Sequence, residues 1–346
     1  KINAPLLLME ACPVQTLPAL GSEAFCVRFS PDNSLLAASC AKGAVCIYNV
    51  STWQEVFRLN QNVEHHPVKQ VVWRPELEDA SARTRGLLLG VDTAGVIRRW
   101  HVHSGRCLHE FNCPAAEMGH RSQLLCADYN PDGSAFVAGG DDRVLWVFDE
   151  ETNKVITKLE GGDSVTTAGH SSRILASRFC PTDASIVASG GWDNSVQLWD
   201  IRVGHSVRGI FGPHVCGDAL DFAADGRTLL TGSWRVQDPL EIWDFGTGKR
   251  VAAVPWRSWA SQVEPHCLLY AATMSRTGAI AAGGSCGEGY GAGEAKVFQD
   301  SSGGAAVCTL TRFTCLSAHF SSGDANLLAF GGADGYVRVL RMQTSS

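Results

Sequence analysis

Apolar positions in this chain fall in short runs, and one stretch shows the grammar clearly. Residues 174–179, 186–189, 196–199 and 206–211 are β-branched-rich or alternating, and turn residues separate them. That is the signature of a four-stranded antiparallel meander. No 11-residue window holds an i, i+3, i+4, i+7 apolar stripe free of Gly or Pro, so the pattern predicts an all-β chain. The same phrase recurs along the 346 residues. Turn signals stand at Ser30-Pro31-Asp32, Arg74-Pro75-Glu76, Asn130-Pro131-Asp132-Gly133, Cys180-Pro181-Thr182-Asp183, Ala224-Asp225-Gly226, Arg276-Thr277-Gly278 and Ser322-Gly323-Asp324. Each precedes an aromatic or apolar anchor: Tyr48, Trp100, Phe148, Trp199, Trp243, Phe298 and Leu340, at intervals of 42 to 55 residues. Two independent markers therefore count seven units.

A period of this length signals a repeat architecture in which each unit adds its own layer of core, so one domain over 1–346 is expected despite the length. The units are placed at about 19–60, 61–112, 113–160, 161–212, 213–256, 257–311 and 312–346. In the fourth, Gly169-His170, Ser189, Asp193 and Trp199 have the spacing of a side-chain network in which imidazole, hydroxyl, carboxylate and indole satisfy one another inside the sheet. These residues resemble the hydrogen-bonded tetrad of the WD40-repeat family, and the resemblance covers essentially the whole chain. It implies a seven-bladed β-propeller of four-stranded antiparallel blades. The tetrad decays elsewhere: unit three keeps Gly119-His120 and Asp142 beside Ala138 and Phe148, unit seven keeps Asp334 with Phe330 and Leu340, and Lys42 and Ala94 replace the turn aspartate in units one and two. His120 and His214 are expected to be structural imidazoles like His170. The last unit stops after its third strand at 337–342, so the segment 1–18, through residues 13–17, is expected to close the ring against 336–341.

Charge and composition narrow the function. With 29 basic and 35 acidic residues the net charge is -6, and the basic residues are scattered, which argues against direct nucleic-acid binding. Thirteen cysteines without a C-x-x-C pair suggest reduced thiols and an intracellular, cytoplasmic setting. No apolar run approaches the roughly 20 residues of a membrane helix, so no membrane insertion is expected. Gly246-Thr247-Gly248-Lys249-Arg250 lacks the hydroxyl residue of a phosphate loop, and the glycine-rich run 283–293 leads into a strand, so it is read as a flexible loop. There is no H-E-x-x-H and no finger spacing. The expectation is a non-enzymatic chain with no catalytic residue, metal or cofactor.

What remains is binding. Turns between second and third strands emerge on the same face as the inter-unit connections, here termed the top. Units four to six concentrate irregular turns there, carrying Trp192, Trp234, Arg235, Trp256, Arg257, Trp259 and Tyr290, residue types enriched at interface hot spots. The reading is a protein-interaction scaffold or adaptor, a subunit of a larger, cytoskeletal or ciliary assembly, that binds proteins or peptides at this rim. Capping of a blade core is the alternative role for Trp256. Trp199-Asp200-Ile201-Arg202 resembles the W-D-x-R motif of substrate receptors of cullin-type ubiquitin ligases, which would place a ligase contact at Arg202. A small-molecule binder or enzyme using the central channel is a further alternative, with Arg28, Arg178 and Asp221 as the inward-facing titratable groups.

Overall fold

The computed structural model describes residues 9–18, 20–60, 66–76, 85–117, 122–161, 168–256, 267–287, 292–300, 306–323 and 326–344. It contains seven four-stranded antiparallel sheets arranged as a propeller. Helical structure among the described residues is confined to single turns at Val102–Ser104 and Pro114–Glu117. Blade 4 consists of Ile174–Cys180, Asp183–Gly191, Ser195–Asp200 and His205–Phe211. Its third strand and the 187–191 half of its second are buried, whereas the fourth alternates between core and solvent. That gradient explains the sequence pattern: inner strands read as continuous apolar runs, and outer strands read as alternating ones.

The ring is closed by chain termini. Strand Met9–Leu17 pairs antiparallel with Val337–Thr344, with Pro13 opposite Leu340 and Leu17 opposite Val337. Pairing reaches four residues beyond the expected start. Pro13 is tolerated because it lies on the outermost strand, next to a register shift between Pro13 and Gln15. Leu17 is fully buried in a cluster with Val27, Leu36, Tyr48, Leu327 and Val337, so the closing strand also joins the cores of the last and first blades.

The glycine-rich run is only partly a loop. Gly283 and Gly284 belong to strand Ile280–Ser285, and Gly293 opens strand Gly293–Phe298. A Cβ at Gly284 would lie 1.9 Å from the Leu268 carbonyl oxygen. Close backbone approach, rather than flexibility, accounts for glycine at that position.

Candidate partner-binding face

The blade 4 tetrad forms as its spacing suggested. His170 Nδ1 lies 2.8 Å from Asp193 Oδ2, and His170 Nε2 lies 2.7 Å from Ser189 Oγ. The Trp199 indole N–H donates to the same hydroxyl at 2.7 Å. In the neutral ring Nδ1–H donates to the carboxylate, which leaves Nε2 to accept from Ser189. Burial alone would raise the Asp193 carboxyl, but hydrogen bonds from His170, the Ser171 N–H and Ser195 hold it down to about 2. This network is internal and unavailable to a ligand. The other blades improvise. In blade 2 the buried Asp92 caps the N–H groups of Ala94 and Val96 and pairs with Arg98 at 2.6 Å, which compensates for Ala94. In blade 5 the Trp243 indole donates to Thr231 at 2.9 Å. His214 does not complete that set, contrary to expectation: its Nδ1 reaches Asn194 Oδ1 on the neighbouring blade 4 turn at 2.7 Å. The left-handed backbone of Asn194 (φ 57°) brings its side chain within reach. His120 lies outside the described residues.

The inner strands of the seven blades surround a channel whose two halves differ. Midway, Asp218 of blade 5 accepts from Arg28 of blade 1 at 2.8 Å, from Arg178 of blade 4 at 2.5 Å and from Ser317 of blade 7 at 3.0 Å. The Gln70 amide oxygen of blade 2, turned toward both guanidiniums, lies 3.1 Å from each. Burial would raise the Asp218 carboxyl, but the two guanidiniums hold it far below the carboxylate range. The network spans the channel and ties five blades together. Below it lies a polar cavity of about 540 Å³ lined by Asp128, Asp221, Thr273 and His319. Burial pushes the Asp128 carboxyl up to about 6 against the pull of Arg178. Burial, with Arg28 and Arg178 nearby, holds His319 well below the imidazole range. Of the three inward groups expected from sequence, Arg28 and Arg178 are therefore consumed by Asp218. Asp221 accepts from Thr273 and the Met274 N–H.

Above the network the lining turns apolar. A mouth of about 270 Å³ is walled by Phe25, Leu125, Leu175, Cys216, Tyr270 and Leu316, with Asp218 at its floor and Lys69 as the one cation among its described lining residues. The Lys69 ammonium lies 3.6 Å from the Phe25 ring centroid. No carboxylate lies within ion-pair distance of it among the described residues; burial pulls it down to about 8, against a weaker upward pull from Glu23. The rim tryptophans extend this surface outward. Trp192, 44% exposed, lies close enough to Cys216 to act on its thiol, and the Arg173 guanidinium covers its ring at 4.5 Å. Trp234, 42% exposed, donates its indole N–H to the Tyr270 hydroxyl at 3.1 Å. Cys216 and Tyr270 both line the mouth, so the two indoles and the channel opening form one continuous surface. Phe211, 69% exposed at the outer edge of blade 4, lies beside the Trp234 turn and was not singled out by sequence. Its alternating strand gave no sign of which face it would occupy.

Other predicted residues have different surroundings. Arg235 folds back on its own turn, donating to the Gln237, Asp238 and Gly212 carbonyls, and pairs with buried Glu241. Trp256 packs into blade 6: its indole N–H donates to Glu294 at 2.7 Å, and its ring lies 5.9 Å from Phe298. It caps a blade core. Arg202 forms a bidentate pair with Asp200 on the opposite face (2.9 and 2.6 Å), with its side chain 66% exposed. Arg257, Trp259 and Tyr290 lie outside the described residues.

Comparison with known proteins agrees with this architecture. The repeat family described as WD domain, G-beta repeat matches residues 105–149 and 162–200, and the anaphase-promoting complex subunit 4 WD40 domain family matches 27–119. Similar proteins include a WD repeat-containing protein 26 homolog of Arabidopsis thaliana, 28% identical over 54% of this chain and 29% of that protein. A coronin-like protein crn1 of Schizosaccharomyces pombe is 28% identical over 39% of this chain and 22% of that protein. A guanine nucleotide-binding protein subunit beta of Oryza sativa is 22% identical over 63% of this chain and 55% of that protein. The aligned part of the chain thus spans between 22% and 55% of these relatives' length. No helix among the described residues is long and apolar enough to cross a membrane. WD40 propellers are in general non-enzymatic platforms that bind other proteins. Seven blades of four antiparallel strands, an intact His-Ser-Asp-Trp tetrad and these repeat matches place the chain in the WD40-repeat family.

Proposed function

We propose that the chain is a non-enzymatic scaffold that takes a partner protein on its top face, across blades 4 to 6 and the upper mouth of the channel. The observation that carries this reading is the continuity of two half-exposed tryptophans with an apolar opening whose one cation, Lys69, has no carboxylate in ion-pair distance among the described residues. Large aromatic side chains next to a concave apolar surface are the usual anchors of a protein interface. Lys69 adds direction: a partner that fits presents aliphatic or aromatic side chains beside an acidic group. Such a partner makes the chain one subunit of a larger assembly, and the similarity to a coronin-like protein supports a cytoskeletal setting. Selection from a random peptide library at neutral pH tests the reading. Enriched peptides are expected to combine apolar residues with Asp or Glu and to lose binding to the Trp192→Ala, Trp234→Ala double variant. Enrichment of basic peptides, or binding indifferent to that variant, contradicts it.

A further inference from the structure

Among the described residues blade 6 shows no counterpart of the polar lock of blade 4, and it holds different chemistry in the corresponding place. Register makes the comparison: Asp193 lies two residues beyond Gly191, which pairs with Ile174, and Cys286 lies two beyond Gly284, which pairs with Leu269. Cys286 therefore occupies the position of the turn aspartate. The indole of Trp256 lies 5.9 Å from Phe298, much as His170 lies 6.0 Å from Trp199. Cys267 precedes the inner strand Leu268–Met274, and Glu294 lies in the third strand. The Cys267 and Cys286 sulfurs and a Glu294 carboxylate oxygen lie within 4.8 Å of one another. Cys267 and Glu294 are buried.

We infer that Cys267, Cys286 and Glu294 form a binding site for a thiophilic divalent metal ion, zinc being the best fit. Two sulfur donors and one carboxylate oxygen suit Zn²⁺, whose Zn–S bonds of about 2.3 Å place tetrahedral sulfurs close together. Charge supports the assignment. Binding replaces the two thiol protons, which leave to solvent, with one dication, and no electron is transferred. The Lys296 ammonium, 3.4 Å from Glu294, offsets the carboxylate, so two thiolates, one carboxylate, one ammonium and the metal sum to zero. The Trp256 N–H and Lys296 both hold Glu294 Oε1, the kind of outer contact that orients a metal ligand. The remaining position on the ion is filled from outside these three side chains. No short cysteine spacing announces the site, because Cys267 and Cys286 are brought together by strand pairing. The metal would join the strand ends of blade 6 where blade 4 uses hydrogen bonds.

Full-length protein, purified in reductant, is the material for the test, and Zn²⁺ or Co²⁺ alone is the probe. One zinc per chain after desalting is expected, with a thiolate-to-cobalt charge-transfer band on Co²⁺ substitution. The melting temperature should rise with zinc and fall with chelator. Cys286→Ser, a near-isosteric change at a partly buried position, should weaken binding at least about tenfold and alter the band, and Glu294→Gln should weaken binding while keeping the thiolate band. Substoichiometric zinc in wild type, a Cys286→Ser variant that binds as tightly, or a Cys267–Cys286 disulfide that forms in preference to the metal complex each overturns the assignment.

Discussion

The two ends of the central channel carry comparable numbers of unusual residues and use them in opposite ways. From mid-height down, Arg28 and Arg178 share Asp218 across the ring, with Gln70 and Ser317 completing the shell and Asp221 lying 3.8 Å from Arg178. At the upper mouth, Lys69 lies over a phenyl ring with no carboxylate in ion-pair distance among the described residues, beside tryptophans that remain half exposed. Buried charge that is fully paired serves the fold. Charge and aromatic surface left unpaired on a rigid face are available to a partner.

Substitutions should separate these roles, and the largest effect belongs to the lower half. Asp218→Ala leaves two guanidiniums buried without their counter-ion, and loss of one member of a buried ion pair costs about 3–5 kcal/mol. Chemical denaturation should show that loss; a midpoint within error of wild type would mean that the network does not hold the ring. Next comes the tetrad. Asp193 ionises at about 2 in the folded chain, below an ordinary aspartate, so its contribution is present above about pH 4 and disappears as pH falls toward 2. Asp193→Ala should cost about 2 kcal/mol at pH 7 and little near pH 2. A pH-independent difference would refute the assignment of the shift.

At the upper end the readout changes from stability to binding. Trp234→Ala should lower affinity for a top-face partner by about 2 kcal/mol, roughly 30-fold, with little change in melting temperature. Lys69 gives a finer test with two signs. Its folded pKa of about 8 lies below an ordinary lysine, so the buried ammonium is a stability cost below pH 8 that fades as pH rises toward 10. Lys69→Met should therefore stabilise the fold by about 1 kcal/mol at pH 7 while weakening an acidic partner about tenfold. Wild-type binding should also decline as pH passes from 7 to 9, whereas the methionine variant stays flat. The smallest effect is expected at Arg202→Ala: its pair with Asp200 is solvent-exposed and screened, so the melting temperature should hold and top-face binding should not change.

Local signals in the sequence carried most of the fold. Turn residues and strand anchors marked the blades, the His170-Ser189-Asp193-Trp199 spacing survived intact, and the truncated last unit pointed to closure by the N-terminal strand. Features assembled from distant strands were illegible. Arg28 and Asp218 are 190 residues apart, and only the ring brings them together. His214 resembled His170 by its neighbours, yet the reach of Asn194 decided its partner. Capping was an alternative for Trp256 in the sequence, and nothing local decided between that and binding. Packing decides it, because Phe298 and Glu294 receive Trp256 while Trp234 stays at the surface.

The most direct measurement is affinity purification with mass spectrometry of three full-length proteins: wild type, the Trp192→Ala, Trp234→Ala variant and Arg202→Ala, each with its melting temperature recorded. The account predicts that the tryptophan variant loses a defined set of partners while its melting temperature holds, and that Arg202→Ala keeps the wild-type set. Identical partner sets for wild type and the tryptophan variant, or loss confined to Arg202→Ala, would contradict the assignment of the top face as the binding surface.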